Sequence, residues 1–187
     1  MTETKQKAGR LSREIWLAEG LRALVDSGLS ELKVERMARR LKVTKGSFYW
    51  HFKDNNAYLN DIVDYWLDLQ EDIVLNFKAD PDSKPEQRLW DLLEFIRNKD
   101  SSTDVAIRAW ARFNPYASKA VGQVDKTRLV YCQNLFTEMG FSKDESILRA
   151  RMIYFYQVGE YTIGLSESKN RRLKLDKLRY EQLIRKK

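Results

Sequence analysis

Along most of this chain the apolar residues recur every three or four positions, which places them on single faces of helices. No stretch alternates apolar and polar with period two, so no sheet is expected. A first helix is predicted over residues 12–27, with Leu11, Ile15, Ala18, Leu21 and Val25 as its stripe. Gly28 should stop it, with Leu29 as the apolar partner of a Schellman-type end. A short second helix fits 34–41, burying Val34, Met37, Ala38 and Leu41. A tight connection at 42–44 leads to a third helix over about 45–51, and the Thr44 side chain is placed to cap it. Asp54 opens a long fourth helix to about Phe77. Ser83 with Glu86 resembles a capping box for a fifth helix ending near Lys99. A sixth follows to about Phe113, where Asn114-Pro115 breaks the pattern. A seventh spans 117–139. Ser142 and Glu145 form a capping box for an eighth that reaches about Leu165, and the tail is a ninth.

Composition supports long helices, since there are only three prolines and eight glycines in 187 residues. The single cysteine, Cys132, excludes an intrachain disulfide framework and is expected to be a buried bystander rather than an oxidant sensor. The first residues are polar, and no apolar run approaches the roughly 20 residues of a membrane span. A soluble, cytoplasmic protein with no membrane partner is expected. Charge is segregated: residues 1–53 carry net +6, 54–168 net −6 and 169–187 net +7. A basic head on an acidic body points one end toward a polyanion. The basic tail is expected to be a solvated terminal helix packed in part through Leu173, Leu175, Leu178, Leu183 and Ile184.

The chemistry concentrates in residues 43–52, Val-Thr-Lys-Gly-Ser-Phe-Tyr-Trp-His-Phe. Two short helices joined by a tight turn make a helix-turn-helix, whose second helix enters the major groove of double-stranded DNA. Lys45 can reach phosphate or a guanine edge, Gly46 lets backbone approach closely, and Ser47 can donate or accept. Tyr49, Trp50 and His51 have polar tips for phosphate oxygens. Phe48 and Phe52 should face the module's own core. One histidine, no glycine-rich phosphate loop and no metal-spaced ligands leave little for catalysis, so no enzyme, cofactor or metal site is expected.

The run from Leu32 to Leu59 resembles the DNA-binding head of the TetR family of transcriptional regulators. The resemblance rests on Gly28, Leu32, Met37-Ala38, Val43, the unbroken 44–52 segment and Leu59. It implies an all-α fold of about nine helices: a DNA-binding head at 1–53, with the helix-turn-helix at about 33–52, and a ligand-binding and dimerisation body at 54–187. It also implies DNA contacts from Lys33, Val34, Glu35, Thr44, Lys45, Gly46, Ser47, Tyr49, Trp50, His51 and Lys53. Three positions depart from the family pattern. Lys42 stands where the turn usually has Gly, and would cost about 1 kcal/mol if that position needs positive φ. Asn55 replaces a usual Lys, and Lys33 a usual Thr. Glu35 would repel phosphate, so it either accepts from a cytosine amino group or, as expected, pairs with a neighbouring Arg.

The resemblance gives the body a ligand cavity and a two-fold interface. Candidate ligand contacts are Trp66, Phe95, Arg108, Trp110, Phe113 and Tyr154. Arg97, Arg108 and Arg112 could meet an anion or pair with Glu94 or Asp104 at the surface. The candidate dimer face on the eighth helix is Ile147, Ala150, Tyr154, Val158, Tyr161 and Leu165, with Gly159 and Gly164 allowing close approach. Residues 105–159 also resemble one C-terminal variety of the family, in Arg108-Ala109-Trp110-Ala111, Asp125, Arg128, Arg149-Ala150, Tyr154 and Gly159. No ligand follows from that likeness. The expected function is a homodimeric repressor released from its operator by a small molecule. The alternative is a DNA-binding regulator without an inducer, such as an activator or a corepressor-dependent factor.

Overall fold

A computed structural model describes residues 11–76, 80, 82–164 and 167–186, which form nine α-helices and one 3-10 turn with no strand among them. The predicted end of the fourth helix at Phe77 lies outside the described residues. The head holds α1 (Arg13–Ser27), α2 (Val34–Arg40) and α3 (Lys45–Tyr49), and α4 (Asn55–Asn76) leads out of it. The body continues with α5 (Pro85–Asn98), α6 (Ser102–Ala111), α7 (Pro115–Glu138), α8 (Lys143–Ile163) and α9 (Lys169–Ile184).

Most helix starts have side-chain caps. Ser12 Oγ accepts from Ile15 N–H, Asp54 Oδ1 from Ala57 N–H and Asn114 Oδ1 from Ala117 N–H. The Ser142–Glu145 capping box of α8 is present in both directions. The one expected before α5 is not: Lys84 is the N-cap, Pro85 sets φ at the first helical position, and Ser83 Oγ donates instead to Asp80 O. Gly28 also ends α1 differently from a Schellman stop. Its φ is 77° but its ψ is −177°, which sends the chain outward into the 3-10 turn Leu29–Leu32 and leaves Leu29 exposed.

Two apolar clusters form the interior. The first joins α1–α3 to Tyr58, Ile62, Val63 and Trp66 of α4, and reaches α6 and the first half of α7. The second packs α5, the second half of α7, α8 and Leu183 of α9. Apolar packing therefore runs unbroken from the head into α4. In α1 the buried face is Trp16, Leu17, Gly20, Leu21, Ala23 and Leu24; of the predicted stripe only Leu21 belongs to it, Leu11, Ala18 and Val25 are half-buried, and Ile15 is exposed. Apolar residues surround most of α1, so spacing alone admits two stripes. Contact with α4 selects one, because Gly20 leaves room for Tyr58, whose Oη donates to Trp16 O at 2.9 Å. The basic tail folds as α9. Its Asp176 is buried between Arg97 of α5, at 3.0 Å, and Arg179, at 2.7 Å.

Candidate nucleic-acid interface

The turn between α2 and α3 closes through Lys42 N–H to Arg39 O and Val43 N–H to Ala38 O. Lys42 has φ 56°, the left-handed region in which a side chain costs about 1–2 kcal/mol. The positive φ inferred for that position is thus realised, with Lys occupying a glycine site.

Five residues are too few for α3 to hold itself as a helix in isolation. It is anchored by aromatic packing. Phe48 is fully buried edge-on to Trp16 and Tyr58, with centroids 5.5 and 5.3 Å away, and Phe52 lies 4.7 Å from Tyr58. With those two rings turned inward, the helix periodicity turns Tyr49 and Trp50 outward, 58% and 64% exposed. Thr44, Lys45 and Gly46 are exposed beside them, as are Lys33 and Lys53. Ser47 and His51 are half-buried, and His51 Nε2 is enclosed without a hydrogen-bond partner among the described residues. Thr44 has N-cap backbone geometry and accepts Ser47 N–H at its carbonyl, but its side chain makes no capping bond. Val34 is a correction: it is buried in the head's core, so its side chain has no free face for DNA.

Glu35 pairs with Lys45 of the recognition helix, Nζ to Oε1 at 2.7 Å, and not with an arginine. The hydrogen bond from Lys45 holds its carboxyl below the usual carboxylate range. The nearby arginines are engaged elsewhere: Arg36 with Glu31 at 2.5 Å, and Arg40 with Glu19 and Asp26, pinning α2 to α1. Arg39, one turn after Glu35 on the same face of α2, is exposed with no carboxylate partner among the described residues. Its i+4 spacing from Glu35 is the only sequence signal for its place beside the recognition helix.

Residues 17–59 match the family model described as bacterial regulatory proteins, tetR family. The head therefore carries a TetR-family domain. It is 26% identical over 153 residues to the tetracycline repressor protein class C of Escherichia coli, covering 80% of this chain and 64% of that protein, just under two thirds of its length. Its fold is similar to a putative TetR-family transcriptional regulator from Rhodococcus sp., with TM-score 0.70 and 15% identity over 92% of this chain and 98% of the other. It is also similar to BioQ in complex with its natural double-stranded DNA operator, with TM-score 0.55 and 20% identity over 93% and 98%.

The candidate ligand residues do not converge on one place. A cavity of about 100 Å³ lies among α5–α8, and its wall includes Phe95 and Tyr154 with Lys99, Asp104, Arg128 and Cys132. Trp110 and the highly exposed Phe113 line an adjoining open cleft of about 910 Å³ between the end of α1 and α6 and α8. Trp66 is fully buried and donates its indole N–H to Asp104 at 3.2 Å. Arg108 is held by Asp125 at 2.5 and 3.1 Å and by Tyr154 Oη at 2.8 Å. Asp104 is buried rather than at the surface, and its main ion-pair partner is Arg128 at 2.9 Å. Several residues shared with the C-terminal variety thus serve as internal ties. Burial pushes the Cys132 thiol up to about 12.

The candidate dimer face is largely committed within the chain. Ala150 and Tyr154 are buried, Ile147, Val158 and Tyr161 are half-buried, and Leu165 lies outside the described residues. This side of α8 packs within the chain, where α7 is its main neighbour. Apolar residues lie on both sides of α8, and periodicity cannot say which side meets α7. The side left open carries Leu148, Met152, Phe155 and Ile163, all more than half exposed. Among the described residues no helix is long and apolar enough to cross a membrane, and no cluster of His, Cys, Asp or Glu could hold a metal ion.

Proposed function

We propose that the protein is a homodimeric repressor that binds a two-fold operator and leaves it when a small molecule occupies the body. The exposed α3, with Tyr49 and Trp50 outward and Phe48 and Phe52 locked inward, carries the DNA half of this reading. Residues 1–53 read DNA and 54–187 sense and dimerise. Lys45, Gly46 and Ser47 approach base edges. Thr44, Tyr49, Trp50 and His51 position the helix on phosphate, and Lys33, Arg39, Lys42 and Lys53 supply sequence-independent charge.

Two recognition helices one helical turn of DNA apart need a two-fold partner. The exposed apolar stripe Leu148–Met152–Phe155–Ile163 supplies a surface for a second copy, since an exposed patch of that kind marks an interaction site. The cavity and the cleft support a ligand-controlled body, and both share the wall residues Ile96, Lys99, Ser101, Gln157 and Tyr161. The cleft also touches Leu24 to Leu29, so a change in that shared wall meets the end of α1 directly.

Fluorescence anisotropy with the promoter region beside the protein's own gene tests the reading. Salt-sensitive, sequence-preferring binding is expected, and binding equal to that of random duplex would overturn it. Sedimentation of Phe155→Arg tests the dimer face: this variant should run as monomer, and an unchanged dimer would remove the stripe from the proposal.

A further inference from the structure

We infer that the cavity among α5–α8 is a site for a small monocarboxylate with a short apolar tail, bound between Lys99 and Arg128. Two cations and one carboxylate meet in its wall, and Asp100 acts on Lys99 from the side of the adjoining cleft. Arg128 Nη1 lies 2.9 Å and Lys99 Nζ 3.8 Å from Asp104 Oδ2. Gln70 Oε1 takes one hydrogen bond from each cation, at 3.1 Å from Lys99 and 2.7 Å from Arg128. A neutral amide oxygen therefore sits where a second anion would balance the charge. Partly buried cations are costly unless paired, so this corner favours one more negative charge.

The remaining wall selects the rest of the ligand. Leu92, Phe95, Ile96 and Ile153 make it apolar. A volume of about 100 Å³ is below that of the roughly 150 Å³ engineered cavity that holds benzene, so the tail is short. A carboxylate that takes the Lys99 and Arg128 donors frees Gln70, which lies on α4, the helix that begins just after the recognition helix. Binding thereby loosens a tie between α4 and α5–α7. The effect on the operator rests on the ligand-controlled reading above, whereas binding itself does not.

Isothermal titration of the full chain with butyrate, and with butyramide and inorganic phosphate as controls, tests the site. Butyrate should bind saturably and at least about tenfold more tightly than either control, the ratio expected for one charge-assisted pair. Lys99→Met should weaken butyrate by about tenfold or more while leaving the helical circular dichroism and butyramide binding unchanged. Asp104→Asn, which leaves the two cations without their carboxylate, should bind butyrate more tightly than the parent and gain more in melting temperature from it. Butyrate binding that is absent, matched by phosphate, or indifferent to both substitutions overturns the inference. Operator binding that persists in that case leaves the DNA reading intact. Butyrate binding without any operator binding would sink the DNA reading and leave this site standing.

Discussion

Gly20 offers a direct test of how the head is joined to α4, because local propensity and packing demand opposite outcomes there. Ala is better than Gly in a helix interior by about 1 kcal/mol, so Gly20→Ala would stabilise an isolated α1. In the fold, the added Cβ would lie 2.3 Å from Tyr58 Oη, 2.7 Å from Ile62 Cδ1 and 3.1 Å from Tyr58 Cζ. Tyr58, Ile62 and Trp16 are all fully buried, so the ring has nowhere to retreat. Overpacking costs about 1–3 kcal/mol, and displacing the hydroxyl from Trp16 O costs about 1 more. The net expectation is a loss of about 2 kcal/mol, or roughly 4–8 °C in Tm for a chain of this size. Urea and thermal unfolding followed by circular dichroism measure it. Adding Tyr58→Phe removes the oxygen nearest the new methyl. The double variant should therefore be more stable than the sum of the single losses by about 1 kcal/mol. A Gly20→Ala protein more stable than the parent would refute the argument, since that is what helix propensity alone requires.

Lys42→Gly and Lys42→Ala remove the same charge and differ only in the backbone each prefers. At φ 56° the glycine variant should be more stable by about 1 kcal/mol in urea unfolding, and an equal or better alanine variant would remove the strain assigned to this turn. Glu35→Gln releases Lys45 and one repelling charge, so binding to operator and random duplex should tighten by similar factors. Selective loss at a single base pair would instead make Glu35 a reader of cytosine. Cys132 is buried and its thiol is pushed up to about 12, so at pH 8 it should react with a disulfide reagent only as fast as the protein unfolds. Stoichiometric labelling within the mixing time would contradict that burial.

What periodicity and punctuation encode locally was legible in the chain: the nine helices of the described residues, the break at Asn114-Pro115, the Ser142–Glu145 cap, the stop at Gly28 and the inward turn of Phe48 and Phe52. These depend on residues within a few positions of one another, as does the left-handed turn at Lys42. Tertiary structure decided every question of which face meets which neighbour. In α1 and α8 apolar residues surround most of the helix, and only contact with α4 and α7 selects the buried side. The same holds for charge. Glu35 with Lys45, Arg108 with Asp125 and Arg128 with Asp104 are 10, 17 and 24 residues apart, so no helical spacing announces them. The DNA-reading segment is contiguous and could be recognised as a string. The cavity is assembled from α5–α8, and its pair of cations around Asp104 exists only once those helices have packed.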